Sequence, residues 1–266
     1  MNTHLSPISV VIVARNEEGN LPRCLFSVIG WVSEVIVALN NTTDRSAFIA
    51  QAAGARVEFL PWKGFRDSKN EAMQFAKQPW ILCLDADEEV SLELKTSIQN
   101  FIKSTEANTF SAARFPRKVW FIDRWISHGD WYPDLSLRLL RKGKATWGGD
   151  AIVHEKIVCD GTIKTLKGDL YHYSFPTLSS HVAKIVPFAD FYVQQQKANG
   201  KRFSILAALT RGPWRFFRAY IIRLGFLDGY PGLYIAIANA FGVFVRQSRL
   251  FEEQHKTEPK LKHPNK

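Results

Sequence analysis

The chain has only three cysteines, Cys24, Cys83 and Cys159, an odd number without metal-ligand spacing. This argues against a disulfide framework and suits a reducing compartment. The first seven residues lack a basic region followed by a long apolar stretch, so no secretory signal is expected and an intracellular location is. No apolar run reaches the about 20 residues a membrane span needs; the best candidate, 232–245, is broken by Asn239 and Gly242. Internal repeats are absent, and low complexity is confined to a polar tail, 255–266, expected to be disordered. Acids are in the minority, 25 against 35 Lys and Arg, giving a formal charge of +10. Such an excess needs an anionic partner, and nucleic acid, lipid headgroups and nucleotide phosphates all stay open.

At 266 residues and 46% apolar composition, the chain can bury a substantial core as one large domain or a domain with an appendage. Strands are expected at 8–13, 35–39, 56–60 and 80–84, and the first two are runs of the kind that helices cover on both faces. Between them lie helical patterns: one opened by Asn16-Glu17-Glu18, one capped by the turn 40–44, and one over 68–76. This alternation predicts a parallel, helix-flanked sheet whose ligands sit at the strands' carboxyl ends. Beyond 108 come shorter strand-like pieces at 110–115, 118–122, 135–141 and 152–158, an antiparallel extension around an aromatic loop, 125–134. From 180 onward the pattern is helical.

The most informative stretch is 80–89, Trp80-Ile-Leu-Cys-Leu-Asp85-Ala-Asp87-Glu88-Glu89, an apolar strand that ends abruptly in carboxylates. Alternation aims Asp85 and Asp87 the same way. Clustered carboxylates repel one another, which is easier to understand if a divalent cation and a phosphorylated ligand share the site. The alternative is an acidic loop opening the helix near Ser91.

Taken together, 10–18 (Val-Val-Ile-Val-Ala-Arg-Asn-Glu-Glu), Thr42-Thr43-Asp44, and 84–88 (Leu-Asp-Ala-Asp-Glu) resemble glycosyltransferase family 2, inverting enzymes with the GT-A fold, over roughly 8–160. Trp62-Lys-Gly-Phe65 with Lys69-Asn70, the segment 129–134 with 138–141, and Val153-His154-Glu155 look like the branch that adds β-linked glucose to heptose of the lipopolysaccharide core. The resemblance implies an α/β fold, a Rossmann-like, mostly parallel sheet with an antiparallel extension. It also implies a Mg²⁺ or Mn²⁺ cofactor that neutralises the departing diphosphate. Asp87 is then the main metal ligand, Asp85 contacts ribose or metal, and Ala14, Asn16, Glu18, Asn40, Asp44, Lys69 and Arg138 face the donor. Arg66 is open between the diphosphate and a surface ion pair.

Two departures from the family pattern stand out. Trp131 and Tyr132 occupy the place of the usual acidic pair, so the base that deprotonates the acceptor is sought among Asp134, then Asp130 and Glu155. Leu39 stands where relatives place an Asp that recognises uracil, leaving Asn40 as a substitute and a UDP-sugar as the expected donor. His154 reads from the residues alone as a hydrogen-bonded core histidine, to which the resemblance adds metal or diphosphate contact. His128, His172 and His181 receive the core reading. Trp125, Trp131 and Tyr132 are open between stacking on sugar and plain packing.

The segment 211–223 interleaves arginines with large apolar groups and joins 232–245 around 228–232. Two helices lying in an anionic membrane surface, with arginines on phosphates, are expected; a hairpin packed within the protein is the alternative. The expected organisation is a catalytic domain at 1–178, an interfacial helical region at 179–254 and the tail. The expected partners are a nucleotide-sugar, a lipid-linked glycan acceptor and the cytoplasmic face of an inner membrane, with peripheral attachment. Transfer to a polyprenyl-linked, capsule or protein acceptor, and a silent nucleotide-sugar binder, remain alternatives. Nucleic acid is not expected as a partner, because the bases are scattered and no recognition motif accompanies them.

Overall fold

The computed structural model describes residues 5–148 and 156–256. The described chain divides into two compact units, Met1–Ser127 with Trp131–Pro176, and His128–Asp130 with Thr177–Lys266.

The first unit begins with the strand–helix alternation: β1 (Ser6–Ala14), α1 (Leu21–Val28), β2 (Val32–Leu39), α2 (Ser46–Ala52), β3 (Arg56–Phe59), α3 (Phe65–Gln74) and β4 (Trp80–Asp85). There follow β5 (Glu88–Val90), α4 (Leu92–Lys103), β6 (Ala112–Phe121), β7 (Arg124–Trp125), β8 (Asp134–Arg141), β9 (Ala145–Gly148), β10 (Lys156–Cys159), β11 (Ile163–Thr165) and β12 (Leu170–Phe175). The main sheet runs β3-β2-β1-β4-β8-β6-β12-β5, with β7 and β11 also on β6, while β9 and β10 pair separately. β1 to β4 are parallel, β8 is antiparallel to both β4 and β6, and β12 is parallel to β6. Ala14 lies opposite Leu39, and Val13 opposite Asp85, so three strands end along one edge.

The β-branched runs are buried on both faces. Val10, Ile12, Leu82 and Leu84 share a core with Leu21, Leu25, Ile98 and Phe101, and Val11, Ile36, Ile81 and Cys83 share another with Ala72, Met73 and Trp147. Each such aliphatic side chain contributes about 1.5–3 kcal/mol of transfer free energy, enough to fix which strand end meets which.

Three local details differ from expectation. α1 starts at Leu21, so Glu17 and Glu18 belong to the preceding loop rather than to its first turn. Glu88 and Glu89 form β5, and α4 is opened instead by Ser91, whose side chain accepts from the Leu94 amide. The two expected strands 110–115 and 118–122 are one strand, β6. Pro116 is tolerated because its missing N–H falls in the gap between β11, paired as far as Arg114, and β12, paired from Arg117.

The second unit contains α5 (Leu178–Val182), α6 (Ile185–Ala198), α7 (Ile205–Phe217) and α8 (Gly229–His255). α7 passes into a π-helical turn, Arg218–Ile222, and a 3-10 turn, Gly225–Asp228, before α8. The chain therefore turns just ahead of the expected joint, and Pro231 sits in the first turn of α8, where a missing N–H costs nothing. Gly232 is required there, since any side chain would collide with the Gly225 carbonyl. No single helix among the described residues is long and apolar enough to cross a membrane; Ile205–Ile222 and Gly225–His255, bent by 72°, pass by length and composition only as a pair.

Candidate active site

The site is built on the carboxyl edge of the first unit's sheet. Two loops are clamped there by side chains that sequence reasoning assigned to the donor. Asn16, in the left-handed region at φ 55, accepts through Oδ1 from the Thr43 amide at 2.8 Å. Asp44 accepts from the Glu18 amide at 2.9 Å, and Glu18 from the Arg45 amide at 3.1 Å. The Ala14 carbonyl accepts from the Asn40 amide at 3.1 Å. Asn40 is 1% exposed and donates through Nδ2 to the Leu60 carbonyl at 2.8 Å, while its Oδ1 is buried without a hydrogen-bond partner among the described residues. These groups shape the rim, and both Asn40 Oδ1 and Thr42 Oγ1 of the same turn are buried without a hydrogen-bond partner among the described residues.

Asp85, at the end of β4, is gripped by two cations: Lys69 Nζ lies 2.9 Å from Oδ1 and Arg138 Nη2 2.6 Å from Oδ2. Burial opposes its ionisation, but the two cations outweigh that and hold the carboxyl well below the usual range. Trp147 lies beneath both cations, 4.3 Å from Lys69 Nζ and 5.5 Å from the Arg138 guanidinium. Asn70 fixes this ring by exchanging two hydrogen bonds with the Trp147 backbone, at 2.7 and 2.8 Å. Arg66, by contrast, pairs with its exposed neighbour Asp67.

Glu88 was not among the expected site residues, yet it anchors the network. Its side chain is 0% exposed, accepts from the Asp85 amide at 2.9 Å and meets Arg138 at 2.8 Å. Arg117, likewise missed, lies 3.6 Å from Glu88 and donates twice to Asp134 Oδ2, at 2.9 and 2.7 Å. Asp134 opens β8 directly opposite Arg117 and is 42% exposed, with no partner on Oδ1 among the described residues.

Asp87 meets a partner that the core reading of His172 passed over: His172 Nε2 lies 3.3 Å from Asp87 Oδ2. Burial again opposes ionisation, and the His172 contact outweighs it, so the Asp87 carboxyl lies below its ordinary value. The surrounding field is negative. Burial first, and then the charges of Asp87, Asp44 and Asp85, push the Glu17 carboxyl up against the hydrogen bond from Asn20.

The expected base Asp130 is not free to act as one. It belongs to the helical unit, where its side chain is 0% exposed and ion-paired with Arg215 at 2.5 Å, Arg218 at 2.7 Å and Arg223 at 3.5 Å. A carboxylate so enclosed has no approach for an acceptor hydroxyl. His154 and Glu155, expected as metal ligand and base, lie outside the described residues.

The aromatic residues divide. Trp131 packs on Phe121 and Phe175, as core residues do. Trp125 packs on Tyr171 with the rings tilted by 30° at 4.5 Å and meets Tyr173 edge-on at 5.0 Å. Strand alternation puts Tyr171 and Tyr173 on the face of β12 opposite His172, so this cluster does not wall the carboxylate site. Tyr132 donates to Asp169 at 2.9 Å, and burial with that hydrogen bond pushes its hydroxyl up to about 12. Burial likewise pushes the Cys83 thiol up to about 11, which keeps it unreactive beside Asp85.

Among the described residues no group of three or more His, Cys, Asp or Glu is placed to hold a metal ion. Asp87 and His172 nevertheless form a two-donor set with oxygen and nitrogen close together. That fits a cation of the Mg²⁺ or Mn²⁺ kind, which keeps waters and takes the rest of its ligands from substrate phosphates.

Carboxylates and cations gather here at the carboxyl edge of a helix-flanked parallel sheet, where α/β folds place their ligand sites. Residues 9–158 match the sequence model of Glycosyl transferase family 2. The chain belongs to that family, as a glycosyltransferase of GT-A fold. It is 31% identical over 262 residues to an uncharacterized glycosyltransferase of Rickettsia typhi, covering 93% of this chain and 88% of the relative. It is 25% identical over 252 residues to the lipopolysaccharide core biosynthesis glycosyltransferase LpsC of Rhizobium meliloti, covering 92% of each. Among solved structures, S. aureus TarS aligns over 70% of this chain and 39% of its own, with 14% identity and a TM-score of 0.47. Glucosyl-3-phosphoglycerate synthase of Mycobacterium tuberculosis, solved with Mg²⁺ and UDP, aligns over 41% of this chain and 42% of its own, with 23% identity and a TM-score of 0.34.

Proposed function

We propose that this glycosyltransferase moves glucose from UDP-glucose, with inversion, onto a lipid-anchored glycan of the lipopolysaccharide core type, working at the cytoplasmic face of a bacterial inner membrane. The observation that carries the donor half is the convergence of Asp85, Asp87, Lys69, Arg138 and His172 on the edge where parallel strands end. The likeness to LpsC over nearly the whole chain supports the acceptor half.

Asp87 and His172 would hold the divalent cation, which when bound supplies positive charge against the diphosphate. Asp85, with both oxygens occupied, serves to fix Lys69 and Arg138 on the donor side. Glu88 keeps that pair in register from below. Asn40, expected to stand in for the aspartate that Leu39 replaces, is 1% exposed and bonded to the Leu60 carbonyl, so recognition of uracil does not run through its buried Oδ1 in this conformation. Asp134 is the base: Arg117 orients one oxygen and leaves the other to take the acceptor hydroxyl's proton as that oxygen attacks the anomeric carbon. The C–O bond to the new sugar forms as the bond to the diphosphate breaks on the opposite face.

The helical unit carries exposed apolar side chains, among them Leu206, Leu209, Trp214, Phe217, Phe241 and Phe244, and these suit a lipid surface better than water. A transfer assay with UDP-glucose tests the whole reading. Product is expected on a heptose-bearing lipid acceptor, and release of glucose to water alone, or equal transfer to soluble glycans, would overturn the acceptor.

A further inference from the structure

The helical unit holds a cavity of about 270 Å³ with an unusual lining: Arg211, Arg215, Arg218 and Arg246, together with Trp214 and Gln247. Four guanidiniums around one small space repel each other unless something answers the charge. The protein answers little of it. The buried carboxylate of Asp130 is shared by Arg215, Arg218 and Arg223. Arg211 and Arg246 have no acidic partner among the described residues; Arg246 meets only the face of Tyr192, at 5.8 Å. Burial holds the guanidiniums of Arg215 and Arg246 below their ordinary value. The cavity is therefore short of negative charge, while its neutral polar lining is already satisfied, with Gln247 donating to Tyr192 at 2.9 Å.

The geometry points to a phosphate-binding site: we infer that this cavity receives the phosphate or diphosphate of an amphiphile whose apolar chain lies along the exposed side chains beside it. Guanidinium forks match phosphate oxygens two at a time, and a phosphate monoester carries nearly two charges where a carboxylate carries one. The cavity's own wall supplies the apolar part. Trp214 is 58% exposed and stacks on the exposed Phe217, with Ile221 and Ile222 following on the next turn. The inference rests on the membrane reading only for the carrier of the phosphate, which is either a bulk anionic lipid or the acceptor's own lipid phosphate. It makes the helical unit a selective receptor rather than a merely sticky surface.

The test uses the full chain and does not read transfer, so its failure is separate from failure of the transferase reading. Binding is measured to phosphatidylcholine vesicles doped with phosphatidic acid or, at matched surface charge, with oleate. Inorganic phosphate alone is added in a parallel thermal-shift arm. Wild type is expected to prefer phosphatidic acid over oleate by about tenfold. Arg246→Gln and the exposed Arg211→Gln should each lose that preference, whereas Arg202→Gln, of equal charge on the same unit but outside the cavity, should keep it. Stabilisation by inorganic phosphate in wild type but not in Arg246→Gln would show that free phosphate suffices. Preference for phosphatidic acid without such a shift would assign the ligand to a lipid. Equal binding to both vesicles with no phosphate shift, or a loss in Arg202→Gln as large as in Arg246→Gln, overturns the inference.

Discussion

The two units treat buried charge in opposite ways. On the sheet edge, Asp85, Glu88 and Asp134 are answered by Lys69, Arg138 and Arg117, each within ion-pairing distance of a partner. In the helical unit the enclosed carboxylate of Asp130 faces three arginines, and two more line the neighbouring cavity without an acidic partner among the described residues. A matched network is complete before substrate arrives, so it can hold donor groups in place with little reorganisation. An unmatched one leaves an excess of positive charge. The same residue types thus close a network in one place and leave one open in the other.

The largest effect is expected from breaking the balance at its buried centre. Glu88→Ala leaves Arg138 and Arg117 short of a carboxylate in a closed space and should cost about 4 kcal/mol of stability, read as a lower urea midpoint. A loss under about 1 kcal/mol would mean that Asp85 alone suffices for Arg138.

Next comes a contrast between the two aspartates that sequence reasoning treated as rivals. Asp134→Asn should lower turnover on the order of a hundredfold with the melting temperature nearly unchanged. Asp130→Asn should do the reverse, releasing three arginines from the acid they share and showing mainly as lost stability. Equal turnover in wild type and Asp134→Asn would remove Asp134 as base.

The smallest effect concerns pH. Because the folded Asp87 carboxyl is depressed by His172, its contribution to stability is fully present above the unfolded value of about 3.9 and is lost as pH falls through the lower folded value. His172→Ala removes that depression. The stability gap between wild type and variant should therefore be present above the unfolded value of about 3.9 and close as pH falls through the lower folded value. A gap that persists in acid would assign His172 to packing instead.

Much of this was legible in the residues. The runs within β1, β2 and β4 carry enough β-branched and aliphatic side chains to read as buried strands without help, and the carboxylates following Leu84 mark the edge. Other parts were hidden for physical reasons. β12 is short, and its alternating Tyr171-His172-Tyr173 has meaning only once it pairs with β5, more than 80 residues away. His172 and Glu88 reach the site through that pairing, which leaves no local mark. Arg117 was obscured in the same way by Pro116, which suggested a break where the sheet simply changes partners. Asp130 misled because three residues, His128–Asp130, leave the sheet unit for the helical one. Arg215, Arg218 and Arg223 were visible as an interfacial pattern, but their shared acid lies some 90 positions earlier and no spacing announces it.

The central claim is that Asp87 and His172 together hold the cation that accompanies the donor. Calorimetric titration of Mn²⁺ into the full chain with UDP present, for wild type beside His172→Ala and Asp87→Ala, tests it most directly. Each substitution is expected to weaken uptake by about tenfold or more; uptake unchanged by either would contradict the claim.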